Sequence, residues 1–195
     1  MKITDIEAIV VRQDKVKMIG DGSQDTVVVL VHTDEGITGI GEVDSAPEVV
    51  KAIIEAPASH MQCRGLKDIL VGEDPLNVEY LWHKMYYYSY YYTRRSVGIH
   101  AMSGIDIALW DIAGKKLGVP VSRLIGGRFR ETIPAYCSVL MPETEGEIER
   151  LVEHHKKECN YKGFKFGWGA LGKSEKRDVE LVRACRKAVG SDAKL

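Results

Sequence analysis

Residues 99–117, IHAMSGIDIALWDIAGKKL, constrain the fold more tightly than any other stretch of this 195-residue chain. Ile105, Leu109 and Ile112 recur at helical spacing. Between them stand Ala101, Ser103, Gly104, Ala108, Ala113 and Gly114, small enough to let other elements approach the helix closely. Gly118 is placed to end the helix and Pro120 to prevent its resumption. Asp106 and Asp111 lie five apart and so do not share one face at ideal i, i+4 spacing. Capping and ion pairing are the expected roles for these two acids, ahead of metal binding.

The segments before this helix are first strand-like, then helical. Residues 3–12 and 26–33 are rich in β-branched side chains, and Asp34-Glu35-Gly36 separates the second run from ITGIGE at 37–42. A β-rich run, a short turn ending in glycine and another β-rich run predict an antiparallel hairpin over about 26–42. The polar loop MIGDGSQD (18–25) joins the first two strands. After Pro47 the pattern is helical in EVVKAIIEA and GLKDILVG, and a longer helix is predicted from about Asn77 through YYYSYYY at 86–92. Those tyrosines read as packing or subunit-interface residues, touching core on one side and water on the other. A nucleic-acid stacking platform would want interleaved basic residues, and only Arg94 and Arg95 are near.

Beyond the helix, Gly126-Gly127 is the best domain boundary, and the rest of the chain alternates. Strand-like 133–140, amphipathic 145–158, strand-like 161–167 and helical 173–190 give β-α-β-α, the grammar of a parallel α/β sheet or barrel. The charge balance, 27 Lys+Arg against 28 Asp+Glu, provides no electrostatic footprint for nucleic acid. No apolar run approaches the ~20 residues that span a bilayer, and the N-terminus does not resemble a signal peptide. Four scattered cysteines without zinc spacing read as reduced thiols, and a cytoplasmic location is expected.

The stretch YKGFKFGWGALG (161–172) poses a chemical question: a lysine in an aromatic strand is followed at once by Gly167-Trp168-Gly169. Glycine weakens a strand and often marks close passage of backbone past another group. His154 and His155, beside Lys156-Lys157 on a helix, are expected at the surface.

Residues 101–126, AMSGIDIALWDIAGKKLGVPVSRLIG, resemble the first signature of the mandelate racemase/muconate lactonizing enzyme branch of the enolase superfamily. The match runs through Ala101, Ser103, Gly104, Asp106, Ala108, Asp111, Gly114, Lys115, Pro120, Leu124 and Gly126. TDEGITGIGE is similar to the hairpin of that family's capping domain. The resemblance implies an α+β capping domain (1–126) followed by the first β/α units of a (β/α)7β TIM-like barrel (127–195), truncated after the second unit. It implies Mg²⁺, with ligands expected beyond residue 195 and none within the chain, and a small carboxylate substrate that loses its alpha proton. A homo-oligomer is expected as well.

Many relatives end the second barrel strand with Lys-x-Lys, whose second lysine is a base. Here the triplet reads Lys165-Phe166-Gly167, which argues against a two-base racemase. The resemblance then points to an acid-sugar dehydratase with a histidine base late in the barrel. It leaves a racemase, epimerase or cycloisomerase of the same superfamily as one alternative, and a non-catalytic scaffold or interface module as another. By position, Lys165 is the catalytic candidate, assisting as a cation, with its side chain expected to alternate away from the Gly167 position. Trp168 is a candidate wall of the site. Ser138, at a strand end, is a candidate for the substrate carboxylate. Asp21 and Gln24, in the loop that closes over the barrel mouth in relatives, are candidates for substrate hydroxyl groups. The 195-residue chain alone is expected to be inactive.

Overall fold

The computed structural model describes residues 1–44 and 46–195, which form two compact units. The first comprises Met1–Lys17 and Gly22–Arg128, and the second comprises Met18–Asp21 and Phe129–Leu195.

The first unit is an antiparallel sheet covered by helices. Strands β1 (Ile3–Arg12), β2 (Asp25–Thr33) and β3 (Thr38–Val43) lie in the order β1-β2-β3. The predicted hairpin is present, with Val27 opposite Val43 and Leu30 opposite Ile40, and Gly36 takes a left-handed φ of 76° in its turn. Alternation sends Val27, Val29 and Val31 of β2 inward, all fully buried. They meet Ile6 and Ala8 of β1 and the apolar faces of α1 (Pro47–Glu55), α2 (Leu66–Leu70) and α3 (Val78–Tyr88) in one hydrophobic core.

The predicted helix over 99–117 is α5 (Val97–Leu117), with Met102, Ile105, Leu109 and Ile112 fully buried. Its small residues have a definite use. A side chain on Gly41 would overlap the carbonyl oxygen of Gly104, and one on Gly39 would overlap that of Ala108 and lie 2.7 Å from Ile112. Helix and edge strand thus touch backbone to backbone. The polar residues of α5 complete the contact: Asp111 Oδ2 accepts from the Ile40 N–H at 2.9 Å, and Lys115 Nζ donates to the Thr38 carbonyl at 2.7 Å. Lys115 also pairs with Asp111 at 2.6 Å. Gly118 ends the helix at φ 67°, with the Val119 N–H returning to the Gly114 carbonyl.

The tyrosine segment differs from expectation in two ways. The helix breaks at Ser89, giving α3 and a short α4 (Tyr90–Thr93). The Ser89 hydroxyl donates to the Met85 carbonyl at 2.6 Å and the Thr93 hydroxyl to the Ser89 carbonyl at 2.8 Å, side-chain bonds that compete with the helical ladder. Of the tyrosines in this segment, Tyr88 packs against the core and the others face outward. Leu81, Met85, Ser89 and Thr93, spaced four apart, are the buried line, whereas Tyr86, Tyr87, Tyr90, Tyr91 and Tyr92 are exposed.

A short α6 (Val121–Leu124) closes the first unit's helices. In the second unit, β4 (Cys137–Leu140) and β5 (Phe164–Gly167) pair in parallel and are each followed by a helix, α7 (Glu145–Cys159) and α8 (Glu175–Val189). Both strands are shorter than the sequence pattern predicts. Thr144 and Glu147 form a reciprocal capping box at the start of α7. Phe164, Ile148, Val152, Leu181 and Cys185 are the centre of this unit's core. All four cysteines are free thiols. Burial pushes the Cys185 thiol up to about 11, as suits a packing residue.

Candidate functional site

The candidate site is built on one face of the β4–β5 pair. Register places Ser138 beside Lys165 and Leu140 beside Gly167. Cys137 and Phe164, one residue earlier on each strand, are buried, so alternation turns Ser138 and Lys165 to the opposite, exposed face. The expectation that Lys165 alternates away from Gly167 is corrected here. Positions two apart in a strand share a face, so Lys165 and Gly167 lie on the same one.

The two glycines flanking Trp168 differ in kind. Gly169 has a left-handed φ of 55°, and a side chain there would collide with the backbone of Met141, whose nitrogen would be 2.9 Å away. Two hydrogen bonds fix that approach: the Met141 N–H donates to the Gly167 carbonyl at 3.0 Å, and the Ala170 N–H donates to the Met141 carbonyl at 3.1 Å. Gly167 has no such duty. Its φ is not left-handed, and a side chain there would meet nothing within 4 Å.

Trp168 is held in an uncommon conformation, φ 48°, with 68% of its surface exposed. Left-handed backbone at a bulky residue costs on the order of 1–3 kcal/mol and persists only where its surroundings enforce it. Here the Gly169–Met141 contact comes directly after it, and Lys165 Nζ sits 5.4 Å from the centre of the indole, within cation–π range. Gly20 lies against the other end of the residue, where an added side chain would be 3.4 Å from Trp168 Cβ. Asp21, next to Gly20 in the same unit, is partly exposed. Ser138, Lys165, Trp168 and the Gly20–Asp21 segment therefore belong to one unit.

Gln24 has a different task from the expected contact with hydroxyl groups. It is 7% exposed, its Oε1 accepts from the Lys17 N–H at 2.7 Å, and its Nε2 donates to the Lys17 carbonyl at 2.9 Å. The amide thus staples the base of the 18–23 loop. Sequence reasoning overlooked Gly20 and Met141, which position Trp168 through backbone alone. The GDG triplet at 20–22 is the only sequence signal for the first, and nothing in the sequence marks the second.

Residues 6–126 match the family model of the mandelate racemase/muconate lactonizing enzyme N-terminal domain. The chain belongs to that family. The resemblance carried by residues 101–126 is thereby established, and the first unit is an example of the family's α+β capping domain. Among its relatives, arabinonate dehydratase of Saccharolobus solfataricus is 33% identical over 184 residues, 92% of this chain and 46% of that protein. D-galactarolactone cycloisomerase of Agrobacterium fabrum is 30% identical over 171 residues, 87% of this chain and 42% of that protein. The crystal structure of a predicted mandelate racemase from Rhodobacter sphaeroides superposes with a TM-score of 0.82 at 29% identity, covering 98% of this chain and 49% of that one. The chain spans less than half the length of these family members.

Among the described residues no group of three or more His, Cys, Asp or Glu side chains gathers to hold a metal ion. The residues present therefore do not fit the Mg²⁺ that the resemblance implies. No helix among them is long and apolar enough to cross a membrane.

Proposed function

We propose that residues 1–126 are the capping domain, and residues 127–195 the first two β/α units of the barrel, of an acid-sugar dehydratase. The complete enzyme removes the proton alpha to the substrate carboxylate and releases the beta hydroxyl as water, leaving an enol that becomes a 2-keto-3-deoxy acid. The observation that carries this reading is Gly167. It stands where the resemblance puts a second lysine base, with open space in place of a side chain and a backbone that does not require glycine. Such a position favours one-base chemistry over exchange between bases on two faces. The arabinonate dehydratase relative supports the substrate class.

The chain's own residues divide the work. Lys165 lends a fixed ammonium to the carboxylate whose oxygens gain charge as the proton leaves, an interaction strongest in the transition state. Ser138, beside it in register, donates a hydroxyl hydrogen bond to the same group. Trp168 walls the space left above Gly167, and Asp21 accepts from a substrate hydroxyl. Gln24 ties its own end of the loop to Lys17. Mg²⁺, as the resemblance implies it, would be held by residues other than those described.

One observation favours a second reading. Lys165 shares a face with Gly167, so it can itself serve as the single base of an isomerase, and a cycloisomerase is among the relatives. The test is to incubate the complete protein with Mg²⁺ and a panel of acid sugars in deuterated water. A 2-keto-3-deoxy product is expected. Rapid deuterium exchange with inversion at the alpha carbon and no keto product overturns the dehydratase reading, and a lactone or ring-opened isomer selects the second.

A further inference from the structure

The first unit has a cavity of about 380 Å³ lined by Tyr86, Tyr91, Tyr92, Arg94 and Arg95. It lies on the tyrosine segment and is independent of the reaction proposed above. Its volume falls within the range of small-molecule sites, roughly 300–1,000 Å³. Its two arginines differ from many basic residues of this unit. Arg12, Arg64, Lys67, Lys84, Lys115 and Lys116 each pair with a carboxylate. Arg94 and Arg95 have no carboxylate partner among the described residues, although they are adjacent and line one cavity.

Part of the lining, Arg94, Tyr91 and Tyr92, is also ordered in advance. The Arg94 guanidinium lies 4.9 Å from the centre of the Tyr90 ring, which supports it in a stacked position. The Tyr91 ring meets Tyr90 edge-on at 6.2 Å and His60 edge-on at 5.1 Å. Tyr92 donates its hydroxyl to the Arg64 carbonyl, which ties the cavity to the loop before α2. Side chains held by such contacts lose less entropy on binding than free surface arginines. Beyond Arg95 the chain turns sharply through Ser96, at φ 56°, into the 21-residue α5, whose first turn lacks a side-chain cap and adds positive potential of the same sign.

We propose that this cavity binds a small oxyanion, a carboxylate or a phosphate, through the forks of Arg94 and Arg95, with the Tyr86 and Tyr91 hydroxyls donating further hydrogen bonds. A guanidinium presents two parallel N–H groups that match the paired oxygens of either anion. Two guanidiniums side by side call for two anionic groups or one doubly charged one. The tyrosines favour a compact ligand with hydroxyls or a flat face over a bare ion.

The test titrates the protein with inorganic phosphate and, separately, malonate, against sodium chloride at matched ionic strength. The arginine Nε–Hε resonances are followed by NMR and assigned with R94K and R95K. Saturable shifts of the Arg94 and Arg95 signals with phosphate, malonate or both are expected, the stronger probe identifying the class. The R94A/R95A double variant should bind at least about tenfold more weakly, because both forks are removed. Y86F, which keeps the ring and removes one donor on the surface, should weaken binding about two- to tenfold without change in thermal midpoint. Three results each overturn the proposal: shifts no larger than those caused by sodium chloride, binding unchanged in R94A/R95A, or a wild-type cavity filled by a second copy of the chain, seen as an oligomer that R94A/R95A dissociates.

Discussion

Gly41 on β3 and Gly104 on α5 touch through their backbones, so closely that a side chain on Gly41 would overlap the Gly104 carbonyl oxygen. A side chain on Gly104 would in turn run into Val43. The first obstacle is backbone and yields only if strand or helix moves, and the second is a buried, β-branched side chain with little room to turn. G41A and G104A are each expected to destabilise the first unit by about 3 kcal/mol or more, at the upper end of overpacking costs. G167A, with open space around it, should change stability by no more than about 0.5 kcal/mol. Urea denaturation of the three variants beside the wild type checks the contrast, and equal losses for G41A and G167A would contradict it.

Asp111 offers a second measurement. Its carboxylate accepts from the edge-strand Ile40 N–H and from Lys115, and the pair is partly exposed. D111A removes both acceptors and is expected to cost about 1–2 kcal/mol, after discounting the exposed ion pair. D111N keeps an oxygen for Ile40 and should lose about half as much. The same loss in both variants would show that the charge, and not the strand contact, is what matters.

How far these features could be read from the sequence depended on the range of the interactions involved. Helix α5 was legible because its small residues, apolar spacing and Gly-Pro stop are local, and the β2–β3 hairpin because its turn chemistry is local as well. The break at Ser89 was not. Six tyrosines in seven positions drew attention to ring packing, whereas the decisive signal was the four-residue ladder Leu81, Met85, Ser89, Thr93. In the candidate site, the residue types at 138, 165 and 168 could be read, but the parallel register that sets Ser138 beside Lys165 is a tertiary outcome. The role of Gln24 was hidden for a similar reason, since an amide bonded to the Lys17 backbone looks in sequence like any polar loop residue.

Tyr92 predicts a response to alkaline pH. Although Tyr92 is partly exposed, desolvation, with a smaller contribution from the nearby Cys63, pushes its phenol up to about 12. A group whose folded value is raised stabilises the fold fully below its unfolded value, about 10 for tyrosine. That stabilisation is lost as pH rises through about 12. Stability should therefore fall between about pH 10 and 12 in the wild type and fall less in Y92F. At neutral pH, Y92F should be weaker by about 1 kcal/mol because the hydrogen bond to the Arg64 carbonyl is gone. Parallel alkaline curves for the two proteins would refute the assignment.

Asp106 is shifted in the same direction but titrates far lower, so its substitution is expected to stabilise. Burial, and then the charge of Glu79, raise its carboxyl above the ordinary carboxylate value. The folded state thus prefers the protonated acid, a preference that stabilises below the unfolded value and is lost as pH rises through the folded one. At neutral pH the ionised group is a burden, so D106N should be more stable than the wild type. The advantage should shrink as the pH is lowered through the carboxylate range. A thermal-shift series across that range decides the sign, and a D106N variant less stable than the wild type at neutral pH would be inconsistent with it.

In the complete enzyme, Lys165→Met keeps much of the side chain's length and removes its charge. On the dehydratase reading proposed above, turnover of the acid sugar is expected to fall by about 10²-fold or more, as for loss of one transition-state donor. Stability should fall by no more than about 1 kcal/mol, since Lys165 is exposed, makes no ion pair among the described residues and loses only its cation–π contact with Trp168. Unchanged turnover would remove Lys165 from the chemistry.

Because Gly167 has neither a neighbour to satisfy nor a backbone angle to preserve, replacing it asks little of the fold. A lineage, or a laboratory library, can sample acids, bases and neutral side chains there one substitution at a time while every intermediate still folds. Gly41 and Gly104 permit no such drift, since the Gly104 carbonyl blocks a side chain on Gly41 and Val43 blocks one on Gly104. Divergence in what this scaffold does to a substrate is thus expected to pass through the strand end at 167 long before it touches the seam between helix and sheet.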